Sequence, residues 1–422
     1  TFPVCTPSRA MLLTGRHPQT TGHLMNSVCT RHSEISIADA FSRSGYETGW
    51  IGKWHLHTGA WPAIDKMPQH PDWVPKGRDR LGFEYWRAYN MHMKYFDGYV
   101  QGDDWNYRQW EGYETSGLAK FAMEFMDSVD DNPFCLFVSP HQPHFTPFEF
   151  APEHYYEKLP KNLKLPDNVP QHMLAESLVM YRHYLAMILS IDDMVGELTR
   201  YLEDSGKADD TLFVFTSDHG TEGGAHGIKP WMKKHPHNES LQVPTILRLP
   251  SVFTPGSQSD AITTMTDFFP SLCRICDVPI PRSIEGRDLS GAWRGQTESF
   301  EHDAVLLMNF SAAYDELEDG MEWRGVRTRT HTYARWLNGK VELYERQSDP
   351  LEVNNLAQIA GHEELVAQHE QMMIDLLAQR GDGFGPCSEV SNWYDEQRRI
   401  VKNAFGDLSS PETIPDWSLL YP

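Results

Sequence analysis

A chain of 422 residues is long enough for one large domain and a smaller one, and 40% apolar with 23% charged residues is typical of a globular protein. The formal net charge of −22 argues against a broad nucleic-acid interface, because phosphate binding needs a basic face, so an anionic ligand would require a local cationic pocket. No apolar run is long enough to span a bilayer, no signal peptide is visible, and six cysteines are too few for a disulfide scaffold.

The first segments predict a short helix and then a helix–strand pair. "SRAMLLTGR" follows Pro7, which is favoured in the first turn of a helix, and Gly15 would end that helix. "ISIADAFSRSG" predicts an amphipathic helix that ends at Gly45, and "YETGWIGK" predicts the strand that follows it.

Helices and strands continue to alternate through the middle of the chain. "LAKFAMEFMDSV" predicts a helix, and the continuous apolar run in "FCLFVSP" suits a strand buried on both faces. "MYRHYLAMILSIDDMVGELTRYLEDSG" predicts a long helix, and "TLFVFTSDHG" predicts a second buried strand with polar residues at its carboxyl end. This pattern predicts the α/β class, with a doubly wound, mixed but mostly parallel sheet flanked by helices.

Cys273 and Cys276 form a CxxC within "DFFPSLCRICDVPIP". The spacing allows a redox interpretation. The segment also reads as an apolar helix closed by Pro279, and we favour two core cysteines one turn apart.

The character of the sequence changes near residue 295. "AVLLMNF", "WRGVRTRT", "HTYARWL" and "KVELYER" predict short antiparallel strands, and "HEELVAQHEQMMIDLLAQRG" predicts a helix. We therefore predict a catalytic α/β domain over 1–295, a smaller α+β subdomain over 296–381 and an extended surface tail over 382–422.

Reactive and charged residues are concentrated at the start of the first predicted helix. Cys5 would lie at the helix N-terminus, where negative charge is favoured, and Arg9 would face the same side one turn later. This arrangement suits a low-pKa thiolate or a modified residue that handles an anion, and a buried cysteine that caps the helix is the alternative.

The stretch "CTPSRAMLLTGR" resembles the C-x-P-S-R-x-x-x-[LM]-T-G-[RK] signature of the type I, formylglycine-dependent sulfatases of the alkaline phosphatase superfamily at every defined position. Five further segments are similar to segments of that family and follow its order across roughly residues 1–375. They are "GYETGWIGKWH", "GFEYWRAYNMH", "FVSPHQPHFTP", the stretch from "TSDHG" to "ESLQVP", and "KVELYERQSDPLEVNNLA".

The resemblance implies hydrolysis of a sulfate ester by a two-step covalent route. A formylglycine-generating maturation enzyme would oxidise Cys5, whose aldehyde would hydrate to a gem-diol. One hydroxyl would attack sulfur and the other would later help to expel sulfate. Arg9 would hold the diol and its loop, and Lys53 and Lys233 would contact the sulfate oxygens. Spacing back from Glu239 favours Lys233 over its neighbour.

Histidines would carry the protons in this scheme. His144 would protonate the leaving alcohol, with His141 as the nearby alternative, and His55 would orient or deprotonate the diol.

The resemblance also implies a divalent metal bound by Asp218, His219 and the oxidised Cys5. Ca²⁺ is the metal expected, whereas the nitrogen of His219, where many relatives carry Asn, suits Mn²⁺ or a similar metal. The family normally adds two adjacent aspartates some tens of residues before its cysteine signature, but only four residues precede Cys5. We therefore expect a sequence that begins late, with a central strand and half of the metal ligands outside it.

Residues 57–113 hold five tryptophans, which are Trp61, Trp73, Trp86, Trp105 and Trp110. Aromatic faces beside polar groups suit sugar rings, so we predict a sulfated carbohydrate as substrate; an insertion that packs on itself is the alternative.

Two other functions remain open at this stage. One is phosphonate or phosphate monoester hydrolysis on the same scaffold, which the Asp218-His219-Gly220 sequence allows. The other is a protein that keeps the scaffold without activity, which applies if the chain is complete and the upstream aspartates are absent. No nucleic-acid partner or membrane span is expected, and the resemblance implies a periplasmic or secreted protein.

Overall fold

A computed structural model describes residues 1–57, 74–102, 106–296 and 301–421. Within these residues the α-helices are α1 (Cys5–Thr14), α2 (Pro18–Thr21), α3 (Ile37–Arg43), α4 (Glu114–Ser128), α5 (Glu153–Glu157), α6 (Leu174–Asp204), α7 (Asn238–Leu241), α8 (Met265–Ile275), α9 (Ser290–Trp293) and α10 (Glu363–Gln379).

The strands of the described residues are β1 (Glu47–Lys53), β2 (Tyr85–Tyr89), β3 (Tyr99–Gln101), β4 (Tyr107–Gln109), β5 (Phe134–Ser139), β6 (Phe213–Phe215), β7 (Ile246–Arg248), β8 (Val305–Asn309), β9 (Trp323–Arg327), β10 (His331–Trp336), β11 (Val341–Glu345), β12 (Lys402–Asn403) and β13 (Gly406–Asp407).

The central sheet has the strand order β4-β3-β2-β1-β5. β1 is parallel to both of its neighbours, and its register with β5 runs from Glu47 opposite Phe134 to Gly52 opposite Ser139. α3 and α8 pack on one side of this sheet, while α4 and α6 pack on the other around a second apolar cluster. The predicted α/β fold with a mostly parallel central sheet and flanking helices is confirmed.

β5 and β6 differ from the prediction in their burial. Both were expected to be buried on both faces, but every residue of both strands is only half-buried. Among the described residues β5 pairs with β1 alone, at the edge of the sheet, and β6 pairs antiparallel with β7 in a separate two-stranded sheet. The apolar runs identified the strands correctly, but burial depends on spatial neighbours that a local run does not encode.

α1 begins and ends where the sequence predicts. Gly15 follows its last residue with a φ of 64° and donates its N–H to the Met11 carbonyl, which closes the helix in the left-handed conformation that glycine adopts easily.

α8 contains Cys273, the first cysteine of the CxxC, and Cys276 is the residue that follows the end of the helix. Cys273 is fully buried and Cys276 is half-buried, both in the cluster between α1, α3 and the central sheet. Both cysteines are reduced. Burial raises the pKa of the Cys276 thiol to about 11, and that of Cys273 also rises, which agrees with the core interpretation rather than a redox role.

The C-terminal part contains the antiparallel sheet that the sequence predicts. β8 to β11 pair in the order β11-β10-β9-β8, and α10 packs on β8, β9 and β10. Beyond α10 the chain forms 3₁₀ turns at Cys387–Trp393 and Trp417–Leu420 and the β12–β13 hairpin rather than one extended segment, and it buries Cys387, Ile400 and Leu420 against the rest of the molecule. The domain boundaries at residues 295 and 381 stay predictions.

No helix within the described ranges combines the length and apolar character needed to cross a membrane.

Candidate active site

Cys5 lies in the first turn of α1, and its neighbours Thr6 and Ser8 hydrogen-bond to three other segments. The Thr6 N–H donates to Asn26 Oδ1 at 3.0 Å, and the Thr6 hydroxyl donates to the His55 carbonyl at 2.6 Å. The Ser8 hydroxyl donates to the Asp218 carbonyl at 2.5 Å. These bonds join the start of α1 to the segments that follow β1 and β6, so one pocket receives side chains from all three.

Two lysines and a histidine surround the Cys5 sulfur. Lys233 Nζ lies 3.2 Å from Sγ, Lys53 Nζ lies 3.5 Å away, and His219 Nε2 lies 3.2 Å away. Burial disfavours the thiolate, but the charges of Lys233, Lys53 and His219 hold the pKa of the Cys5 thiol well below its usual range. An anionic group at this position is therefore stabilised by the pocket itself.

The pKa values of the two lysines shift in opposite directions in this pocket. Burial lowers the pKa of Lys53. Burial also acts against Lys233, but the negative charge at Cys5 outweighs it and raises the pKa of Lys233. The adjacent Lys234 points elsewhere and donates to the Ala312 carbonyl. The structure therefore places Lys233, the residue chosen from spacing, against Cys5.

Arg9 connects three segments around the pocket. Its Nε donates to Asp218 Oδ2 at 3.0 Å, and its Nη1 donates to the Lys53 carbonyl and to the Ser139 hydroxyl, both at 2.9 Å. Arg9 is buried, so these contacts fix the ends of β1 and β5 relative to α1. Arg9 thus acts on the geometry around Cys5 through these hydrogen bonds.

Asp218 and His219 lie on the side of the pocket where the resemblance expects a metal. Burial opposes ionisation of Asp218, but His219 and Arg9 lower the pKa of its carboxyl to about 2. His219 donates from Nδ1 to the Gly220 carbonyl at 2.8 Å, which directs Nε2 into the pocket. Nε2 lies 3.7 Å from Asp218 Oδ1, and ligand atoms of both residues and Cys5 lie within 4.8 Å of one another.

This donor set fits a divalent metal as part of a ligand shell. It offers one carboxylate, one imidazole nitrogen and, after oxidation, an oxygen of residue 5. Mixed nitrogen and oxygen donors of this kind bind Mn²⁺-like metals, while Ca²⁺ takes six to eight oxygens.

His144 and His141 both follow the carboxyl end of β5, but they are held differently. His144 is partly exposed; its Nδ1 bonds the Phe145 carbonyl at 2.7 Å, and the Tyr95 hydroxyl donates to its carbonyl at 2.8 Å. Burial, followed by the charges of Lys53 and Lys233, holds its pKa well below the usual value. His144 is therefore a neutral imidazole beside the lysines that flank Cys5.

His141 is buried and fixed by two further residues. Its Nδ1 lies 2.7 Å from the Tyr89 hydroxyl and 3.1 Å from Glu114 Oε1, and its ring stacks on Tyr89 with the planes 5° apart. Its Nε2 is buried and has no hydrogen-bond partner among the described residues. Burial, then the charges of Lys53 and Arg9, hold the pKa of His141 well below its usual value, while burial raises that of Glu114 to about 7.

His55 is also in the pocket. It follows β1 with a φ of 57°, a left-handed conformation that costs a non-glycine residue energy and that is concentrated at functional sites. Burial lowers its pKa, and both ring nitrogens are buried without a hydrogen-bond partner in the part of the chain that the structure describes.

The eight residues predicted from sequence therefore meet in one place. Sequence reasoning missed the residues that support them, chiefly Ser139, Asn26, Tyr89 and Glu114. The polar residue at the end of the β5 run could have indicated Ser139, but no local signal marks Glu114.

Two of the five tryptophans expected to contact a sugar lie in the described residues, and neither is available to a ligand. Trp86 and Trp110 are 0% and 3% exposed and belong to the core, so neither can stack on a ligand. Trp61, Trp73 and Trp105 lie outside the described residues.

Fold and site together define an α/β enzyme that acts on an anionic ester, with Cys5 buried between two lysines. The sulfatase family model matches residues 1–278, and a model for the C-terminal region of N-sulphoglucosamine sulphohydrolase matches residues 224–379. The chain belongs to the sulfatase family and is a sulfuric ester hydrolase.

Individual relatives agree with this assignment. The chain is 32% identical over 390 residues to an ulvan-active sulfatase of Formosa agariphila, covering 90% of this chain and 73% of the relative. It is 26% identical over 440 residues to an endo-4-O-sulfatase of Bacteroides thetaiotaomicron, covering 94% and 82%. A Bacteroides fragilis structure assigned as the sulfatase yidJ superposes with a TM-score of 0.80 at 25% identity, covering 91% of this chain and 87% of the other.

Proposed function

We propose that this protein removes sulfate from a sulfated carbohydrate, with residue 5 oxidised to formylglycine. The observation that carries the proposal is the position of the Cys5 sulfur, 3.2 and 3.5 Å from the two lysine nitrogens and 3.2 Å from His219. The sulfur marks where the oxygens of the oxidised residue would lie. The hydrate of formylglycine would supply a nucleophilic oxygen there, which a thiol cannot do.

The cations around residue 5 would bind the sulfuryl group. Lys53 and Lys233 converge on one point from different segments, so they can contact separate oxygens of a tetrahedral sulfate. In a buried pocket such charges stabilise the negative charge of the transition state more strongly than they would in water. Arg9 would keep this arrangement in place through the Lys53 carbonyl and Ser139.

Asp218, His219 and residue 5 would hold a divalent metal, which when bound supplies Lewis-acid stabilisation of the same charge. We expect Ca²⁺, and the imidazole of His219 makes Mn²⁺ the competing metal. Metal content of the purified protein, measured with each metal in the medium, distinguishes the two.

Histidines would move the protons of the reaction. His55, with its unpartnered buried nitrogens, would accept a proton from residue 5. His144 would take up a proton when the anionic substrate offsets the charges of Lys53 and Lys233, and would donate it to the leaving alkoxide at the partly exposed side of the pocket, where a large leaving group can be accommodated. His141, buried behind it, is the alternative donor.

Two aromatic side chains at the pocket support a carbohydrate substrate. Phe145 follows His144 and is 39% exposed, and its ring centroid lies 5.7 Å from that of Trp231, two residues before Lys233. Aromatic rings with a polar neighbourhood suit the apolar faces of sugars. The names of the ulvan-active and endo-4-O relatives agree with a glycan substrate.

The test is co-expression with a formylglycine-generating enzyme, followed by mass analysis of residue 5 and desulfation assays. We expect the mass change of thiol-to-aldehyde conversion, turnover of sulfated polysaccharide fragments, and no turnover by Cys5→Ala. Equal rates on phosphonate monoesters would favour the phosphonate hydrolase, and turnover confined to small aryl sulfates would contradict the glycan substrate. Trp231→Ala should raise KM for glycans more than for aryl sulfates.

A further inference from the structure

A second cluster of metal-binding side chains lies outside the contacts around Cys5. We define the Cys29 cluster as the side chains of Cys29, His32, His57 and Asp79. They come from three separate parts of the chain: the loop before α3, the segment after β1 and the turn before β2. All four are reachable from one cavity of about 260 Å³.

The distances within the cluster match a shared cation. Ligand atoms of Cys29, His57 and Asp79 all lie within 4.8 Å of one another. Nε2 of His57 and Nε2 of His32 each lie 3.4 Å from the same oxygen, Asp79 Oδ1. Zinc–ligand bonds of about 2.0 to 2.3 Å give a tetrahedron with edges of about 3.3 to 3.8 Å, so the two histidine–Asp79 distances already have the spacing of zinc ligands.

The chemistry of the donors favours zinc over a hard cation. Cys29, His57 and Asp79 bring together one thiolate, one imidazole and one carboxylate, and His32, which contacts Asp79, would complete a tetrahedral set if its ring moved towards the other three. Ca²⁺ and Mg²⁺, in contrast, prefer oxygen ligands alone. Arg399 borders the cavity, but Asp395 and Glu412 neutralise it at 2.7 and 2.6 Å. The local charge therefore does not oppose a divalent cation.

We propose that the Cys29 cluster binds one Zn²⁺ as a structural ion. With His32 drawn in as the fourth ligand the site would leave no open position for chemistry, which would separate it from the active site. The ion would join the loop of residues 29–32 to the segment that carries Lys53 and His55, and so would hold two active-site residues in place.

Without a metal the same groups form an ion pair. Burial opposes protonation of His57, but its hydrogen bonds with Asp79 and Cys29 raise its pKa to about 10. Zinc would compete with that proton, so binding should release protons and weaken at low pH. The ion pair alone is the alternative that the experiment must separate from a metal site.

The experiment is a titration of the metal-stripped, reduced protein with Co²⁺, which replaces Zn²⁺ and shows thiolate-to-metal absorption in the near ultraviolet. We expect one equivalent with this band, and displacement of the band by Zn²⁺. In a Cys5→Ser background, which removes the thiol of the active-site donor set, Cys29→Ser should abolish the band, and His57→Gln or Asp79→Asn should weaken binding by about tenfold or more. No sulfate ester is used, so the result is independent of the proposed function.

Matched controls come from the other thiol-containing clusters. Cys5→Ser removes the active-site thiol, and Cys387→Ser removes the thiol beside Asp319 and Glu322. Both variants should keep the band. Circular dichroism of each stripped variant shows whether it is folded before metal is added. A band that survives in the Cys5→Ser, Cys29→Ser double variant, a band lost in either control, or the absence of any band in folded wild-type protein would overturn the proposal.

Discussion

The two histidines after β5 differ in what holds them, and this difference predicts different kinetic effects. His144→Ala should lower kcat for a sugar sulfate by about 100- to 10,000-fold, because an alkoxide leaves poorly without a proton. The same variant should lose much less on an aryl sulfate whose phenol is acidic. A series of aryl sulfates of decreasing phenol pKa measures this dependence.

His141→Ala is the matched comparison for that series. We expect a loss that is similar for good and poor leaving groups, because His141 would then act on the geometry of the pocket. If His141→Ala shows the leaving-group dependence and His144→Ala does not, the roles assigned to the two histidines are reversed.

The buried carboxyl of Glu114 should make the stability of the protein depend on pH. Burial raises its pKa from 4.5 to about 7, so between these values the folded protein keeps a proton that the unfolded chain has lost. The free energy of unfolding should therefore fall as pH rises from about 4.5 to 7, by on the order of 3 kcal/mol from this group. Glu114→Gln should remove this fall, as measured by denaturant unfolding at pH 5 and pH 8.

Glu124→Gln is the control for Glu114, since Glu124 lies on the same helix but is exposed. Its unfolding free energy should follow that of the wild type at both pH values. An unchanged pH dependence in Glu114→Gln would show that this carboxyl is ionised in the folded protein.

At the scale of elements, the close approach of β1 and β5 depends on Gly52. Its φ is +92°, and a Cβ at this position would lie 2.2 Å from the Ser139 carbonyl oxygen on β5. Gly52→Ala should therefore destabilise the protein by about 3 kcal/mol or more, since backbone strain adds to a clash with a main chain that cannot rotate away. It should also reduce activity in the folded fraction, because Lys53 follows directly.

The variant Gly45→Ala separates the cost of backbone strain from the cost of the steric clash. The φ of Gly45 is +88°, but a Cβ there would meet nothing within 4 Å. Gly45→Ala should cost only about 1 to 2 kcal/mol, from the left-handed conformation alone. Equal losses in thermal or denaturant unfolding for the two variants would mean that the approach of β5 contributes nothing.

The long helix α6 was predictable from its period, and most strands of three residues were not; β6 is the exception, because a continuous apolar run marks it. α6 and β1 carry enough repeats to show their period, while β3, β4 and β7 have three residues each and show none. Site residues were likewise predictable only where a local sequence motif marks them. Cys5 and Lys53 stand in motifs, but Glu114 reaches His141 from another element 27 residues away, which only the folded chain reveals.

On the scale of the whole molecule, one buried ion pair fastens the C-terminal tail. Asp382 receives the Arg324 guanidinium at 2.8 and 3.3 Å, and Gln19 Nε2 donates to it at 2.8 Å. Arg324 lies on β9 and Gln19 on α2, so this carboxylate joins the tail, the antiparallel sheet and the segment after α1. Burial opposes its ionisation, but Arg324 lowers the pKa of the Asp382 carboxyl.

Asp382→Ala should lower the free energy of unfolding by about 3 to 5 kcal/mol, because it leaves the Arg324 guanidinium, 1% exposed, buried without its counterion. Asp407→Ala is the control, since Asp407 pairs with Lys402 at 3.1 Å but is 80% exposed and should contribute at most about 1 kcal/mol. Limited proteolysis should cut the tail faster in Asp382→Ala than in the control. If the two variants unfold at the same denaturant concentration, the tail is fastened by its apolar anchors at Cys387, Ile400 and Leu420 instead.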